Sequence, residues 1–107
     1  MEKKNNSKRI NLFSAEVCAV QVYSESFSLQ DQGKKIIYYL SDSLGQFDIQ
    51  IYLEASGAWE NYILALPFVV DVVSSYEMGV TSEGNLFRLT YTPLIAGDVI
   101  SAETRIS

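Results

Sequence analysis

Apolar and polar positions alternate with a period of two along much of this chain. Phe47, Ile49, Ile51 and Leu53 alternate with Asp48, Gln50, Tyr52 and Glu54. Phe87, Leu89 and Tyr91 alternate with Leu86, Arg88, Thr90 and Thr92, and Ile100, Ala102, Thr104 and Ile106 alternate with Val99, Ser101, Glu103 and Arg105. Successive side chains of a strand point to opposite faces, so these stretches predict strands with one face on a core and the other toward water. The pattern places Val20, Val22, Phe47, Ile49, Ile51, Leu53, Phe87, Leu89 and Tyr91 inside, and Asp48, Gln50 and Glu54 outside. A slip of one residue would reverse every face.

Turn-forming residues separate the alternating runs. Asp31-Gln32-Gly33-Lys34, Ser41-Asp42-Ser43-Leu44-Gly45, Ala55-Ser56-Gly57-Ala58, the Gly79-to-Gly84 loop and Pro93-to-Asp98 all carry Gly, Pro or Asp where the chain must reverse. They divide the chain into strands near 12–23, 25–29, 36–40, 47–54, 59–66, 68–76, 86–92 and 99–106. Pro67 donates no ladder hydrogen bond, which predicts an edge, a bend or a switch between sheets at that point. Turns about every 8–12 residues, with no helical period, predict a small antiparallel β-sandwich of about seven to eight strands, immunoglobulin-like or jelly-roll-like.

With 107 residues, 48% hydrophobic and 20% charged, the chain has the size and composition of one globular domain. Its net charge of −5 is unevenly placed. Residues 1–9 hold Lys3, Lys4, Lys8 and Arg9 against Glu2, a charge of +3, whereas the remainder holds four basic and twelve acidic groups, a charge of −8. This predicts a flexible basic N-terminal arm over 1–9 and a sandwich over 10–107. The arm is either a solvated chain start or a segment that docks on an acidic neighbour through Lys3, Lys4, Lys8 and Arg9. A body so negative is a poor partner for nucleic acid.

Cys18, the single cysteine, shares parity with Val20 and Val22 and is expected to be a small buried apolar residue rather than a reactive thiol. No apolar stretch follows the basic start, so no signal peptide is expected. The longest apolar run, 62–70, is broken by Pro67 and is too short to span a bilayer, which predicts a soluble protein with no membrane partner.

Chemistry is sparse. Histidine is absent, which removes the commonest general base and metal ligand and with it the usual nucleophilic triads. Asp48 and Glu54 would share one strand face but lie roughly 20 Å apart, too far for paired-carboxylate catalysis. Asp31, Asp42 and Asp98 sit in turns without the dense spacing of a calcium loop. No enzyme activity, metal or cofactor is therefore expected. Trp59 reads first as a core anchor; with Tyr62 or Tyr52 it is also the candidate for a sugar-binding platform.

Two segments carry a resemblance. Gln50-Ile51-Tyr52-Leu53-Glu54-Ala55-Ser56-Gly57-Ala58-Trp59 is a strand, a Ser/Gly turn and a Trp that opens the return strand. Leu86-Phe87-Arg88-Leu89-Thr90-Tyr91, followed by Gly97-Asp98-Val99-Ile100-Ser101-Ala102, is an aromatic-Arg-aliphatic strand, a Gly turn and a last alternating strand. Over roughly 47–106 the chain resembles small β-sandwich modules of tailed-phage virions, of the capsid decoration, auxiliary and head-fibre types. The resemblance implies a non-enzymatic virion structural protein, made in the host cytoplasm and seated on the capsid surface, with protein neighbours in a capsid lattice as partners. The alternative expectation is a carbohydrate- or cell-surface-binding module that uses Trp59, Tyr62 and Tyr52.

Overall fold

The computed structural model describes residues 8–28, 35–78 and 86–106. Among them are nine strands: β1 Lys8–Cys18, β2 Val22–Tyr23, β3 Phe27–Ser28, β4 Lys35–Ser41, β5 Gly45–Leu53, β6 Ala58–Ile63, β7 Ser74–Met78, β8 Leu86–Pro93 and β9 Asp98–Ile106. One sheet has the order β1-β9-β4-β7, the other β2-β8-β5-β6, with β3 also paired to β8, and every pairing is antiparallel. If β2 and β3 are taken as one interrupted strand, the pairs are nested: first with last, second with last but one, β4 with β7, and the central hairpin β5–β6. That winding is a jelly roll, which decides between the two expected sandwich types.

The core lies between the sheets. Phe47 is its centre, with ring centroids of Tyr91, Tyr39 and Phe68 at 4.6, 5.0 and 5.3 Å. Ile49, Phe87, Leu89 and Tyr91 from one sheet face Ile37, Tyr39 and Ile100 from the other, all essentially without solvent exposure. These are the inward positions of the alternating runs. Burial of aromatic and branched side chains on both inner faces is the main force closing the sandwich. Pro67 lies where the chain passes from β6 in one sheet to β7 in the other, and its carbonyl accepts a 2.6 Å hydrogen bond from the Tyr39 hydroxyl.

Several expected positions are corrected. Val20 is 70% exposed because β1 ends at Cys18 and residues 19–20 form a bend. Val22 is only half-buried, in a two-residue strand. Leu53 is 38% exposed, at the end of β5 where the hairpin turns away from the core. Asp48, expected to face water, is buried: its Oδ1 accepts the Ala65 backbone N–H at 2.7 Å and the Gln46 side-chain amide at 2.8 Å. Ala65 has a left-handed φ of 55°, so this carboxylate holds a strained turn against β5. The strand expected over 68–76 begins only at Ser74, because Val69 and Val72 close a tight turn with Asp71 at φ 65°. β1 begins at Lys8, so Lys8 and Arg9 belong to a paired strand rather than to an arm ahead of it.

Two glycines are needed for different reasons. Gly57, at φ 66°, closes the β5–β6 hairpin, its N–H donating to the Leu53 carbonyl at 2.8 Å, with open space where a side chain would stand. A Cβ on Gly45 would overlap the Tyr91 hydroxyl and approach the Thr92 carbonyl to 2.8 Å. Gly57→Ala should therefore cost about 1 kcal/mol of backbone strain, and Gly45→Ala about 3 kcal/mol or more through overpacking. Denaturant melts should rank them in that order; the reverse order would contradict the packing described around Tyr91.

Candidate functional site

Tyr91 reaches from β8 across the core to the other sheet. Its hydroxyl donates to Asp98 Oδ2 at 2.7 Å on β9 and lies 3.0 Å from Ser41 Oγ on β4. Ser41 Oγ is 2.7 Å from the Ser43 carbonyl and accepts the Ser43 N–H at 3.1 Å. Asp42 and Val99 exchange two further bonds, Asp42 N–H to the Val99 carbonyl at 3.1 Å and Val99 N–H to Asp42 Oδ1 at 3.0 Å. Gly97 N–H donates to the Cys18 carbonyl at 2.8 Å. The β4–β5 loop, the β8–β9 loop and the end of β1 are thereby tied into one end of the sandwich. Asp42 and Asp98, weighed as metal ligands from sequence, carry these structural bonds, and no cluster of three metal-ligating side chains occurs among the described residues. Asp31 lies outside the described residues.

What this tied end presents to water is apolar. Leu44, Leu94 and Ile95 are 63%, 71% and 72% exposed and line one shallow cavity with Ser43 and Ala96. Val17 and Val20, also exposed, flank Cys18 beside the same loop. Cys18 is buried, as expected from its parity; burial raises its pKa, and the charges of Glu16, Asp98 and Asp42 act in the same direction, which disfavours the thiolate.

A second surface lies on the outer face of the β2-β8-β5-β6 sheet. There the Arg88 guanidinium stands between two rings, 4.1 Å from the Tyr23 centroid and 4.4 Å from that of Trp59. Its Nε donates to Gln50 Oε1 at 2.7 Å, and Gln50 Nε2 donates to Asn61 Oδ1 at 3.2 Å. The pairing Gln50↔Arg88 and Tyr52↔Trp59 sets this row, and Tyr52 packs against Trp59 at 5.5 Å in a T-shaped contact. A third surface, a groove of about 480 Å³ over β1, β9 and β4, includes Tyr38, Ser101, Glu103 and Arg105, but its cation already pairs with Glu103.

The residues singled out from sequence are therefore divided. Trp59 and Tyr52 meet on the outer face, so Trp59 is not the expected core anchor. Tyr62 is separated from them: it is the extra residue of a bulge in β6, and its ring lies 5.3 Å from buried Phe87. Lys3 and Lys4 lie outside the described residues, while Arg9 is exposed on β1. Arg88, Tyr23 and Gln50 were missed as site residues, although the alternation already sets Arg88 and Gln50 outward. No protein-family model matches the chain, and no curated protein matches it in sequence. No helix among the described residues is long and apolar enough to cross a membrane.

Burial pushes the Tyr91 phenol up to about 12 from its usual value near 10; the Ser41 hydrogen bond opposes the shift, while the Asp98 carboxylate and the Cys18 side chain add to it. An acid whose folded pKa is raised is favoured in its protonated form by the fold. Its contribution is complete below pH 10 and is lost between about 10 and 12, on the order of 2–3 kcal/mol in all. Denaturant melts of wild type and Tyr91→Phe across that window should show the steeper decline in wild type. Parallel pH dependences would contradict a Tyr91 proton held by burial and by the Asp98 carboxylate.

Proposed function

We propose that the protein is a non-enzymatic structural subunit, an auxiliary or decoration component carried on a phage capsid and made in the host cytoplasm. The observation that carries this reading is the apolar end: Leu44, Leu94 and Ile95 stand in water on two loops that the Tyr91 network fixes. Contiguous exposed apolar surface marks an interaction site, and a preorganised one loses little entropy on docking. The jelly roll is an architecture shared by viral capsid and lectin domains, which agrees with the resemblance without assigning a role by itself. In a repeated lattice, even weak contacts by each subunit add up, and the basic residues Lys3 and Lys4 would supply a further contact to an acidic neighbour.

A second reading is favoured by a different observation. The Trp59, Tyr52, Tyr23 and Arg88 row on the outer sheet face combines aromatic surface with side-chain amides, the composition of a carbohydrate- or cell-surface-binding platform.

The capsid reading is tested by sedimentation of the full chain from its native source. It should travel with intact particles, and a Leu94→Glu, Ile95→Glu double variant should remain near the top of the gradient with an unchanged Tm. Wild-type protein absent from every particle fraction would overturn it. Removal of residues 1–7 should leave Tm within about 2 °C while weakening particle binding at low salt, and raised salt should imitate the deletion because exposed charges are screened. Equal binding by both forms at low salt would remove the basic start from the interface.

A further inference from the structure

We propose that the outer face of the β2-β8-β5-β6 sheet binds glycans bearing a carboxylate, a sialic- or uronic-acid residue, with Arg88 receiving that carboxylate. This rests on the second reading above and is independent of the capsid role.

Arg88 is a half-buried cation without a counter-ion: among the described residues no carboxylate pairs with it. The lack of a partner is notable in a chain whose residues after position 9 include twelve acidic groups. Charged side chains withdrawn from water normally find a partner, and an arginine keeps its charge in any such setting. Burial does lower the Arg88 pKa, with the Tyr23 hydroxyl opposing, and the group remains charged at any physiological pH.

The guanidinium is also oriented. Two aromatic rings lie against it, and its Nε is spent on Gln50, which Asn61 holds in turn. Among the described residues no group accepts from its four Nη hydrogens, which form the fixed fork that matches a carboxylate bidentately. Around them, Tyr23 and Leu86 are 49% and 42% exposed, apolar surface for the C–H face of a pyranose, and exposed Asn61 offers an amide to sugar hydroxyls. The charge balance selects the ligand. One cation on a body of −8 accommodates one carboxylate at a time, whereas a polyanionic partner would be repelled by the rest of the surface.

Trp59 is the single tryptophan and stacks on Arg88, so its emission reports on the site directly. Full-length protein would be titrated with N-acetylneuraminic acid, glucuronic acid, galactose, glucose, inorganic phosphate and a glutamate-containing peptide. The two acidic sugars should change Trp59 emission saturably, with affinity at least about tenfold above that of the neutral sugars, since a tenfold ratio is the least that one charge-assisted pair provides. Arg88→Gln should abolish that preference. Gln50→Leu should weaken acidic-sugar binding while keeping the preference, and serves also if Arg88→Gln does not fold. Equal binding of acidic and neutral sugars would overturn the carboxylate assignment while leaving a glycan platform. No sugar binding at all would overturn both, and tighter binding of phosphate or of the peptide than of either acidic sugar would overturn the choice of ligand.

Discussion

A tyrosine hydroxyl in an apolar core must be hydrogen-bonded, and the way Tyr91 meets that demand governs the rest of this structure. Its ring belongs to the Phe47 cluster and its oxygen ends between Asp98 and Ser41 on the opposite sheet. One side chain therefore links β8 to β9 and β4, where apolar packing alone would permit the sheets to slide. The hydroxyl requires a residue without a side chain at position 45, and the serine and aspartate at 41 and 98 require the β4–β5 and β8–β9 loops to approach each other. Buried polar networks of this kind are fully satisfied or costly, so they specify one arrangement of the surrounding chain.

That specification has a consequence at the surface. The fixed loops are the ones that carry Leu44, Leu94 and Ile95 into water. Apolar side chains on mobile loops would collapse onto the domain or onto each other; on tied loops they remain presented. The outer sheet face is organised by different means, a cation held between two rings with an amide relay beneath it. The two surfaces lie on separate elements and draw on separate forces, apolar contact in one and oriented charge in the other. A subunit that seats by its end would leave the sheet face free for a ligand.

The alternation of Phe47, Ile49 and Ile51 against Phe87, Leu89 and Tyr91 was enough to read the core of one sheet, because period two and burial impose the same constraint there. It failed where strands end or where backbone demands intervene. Val20 and Leu53 continue the parity beyond the region that the other sheet covers, and Asp48 is buried because the turn at Ala65 needs an acceptor for its N–H. The nested order of strands was not legible, since which strands pair is a long-range property that local pattern does not carry. The same limit hid the Arg88 row: parity set Arg88, Gln50 and Tyr52 outward, but only the register that pairs Gln50 with Arg88 and Tyr52 with Trp59 brings them together. Tyr62 differs in parity from Trp59 and turns to the other face as parity requires; the bulge instead brings Ile63 inward opposite Ile49.

The claim that joins fold to function is that the hydroxyl network holds an apolar end ready for a partner. Hydrogen exchange at single-amide resolution, on the free chain and on the chain bound to the particle proposed as its partner, tests it most directly. In the free chain the tied amides of Asp42, Ser43, Gly97 and Val99 should exchange slowly, and on assembly the Leu44, Ile95 and Ala96 amides should gain protection while Glu60 and Asn61 on β6 do not. Rapid exchange of the tied amides in the free chain, or protection on assembly confined to β6, would contradict it.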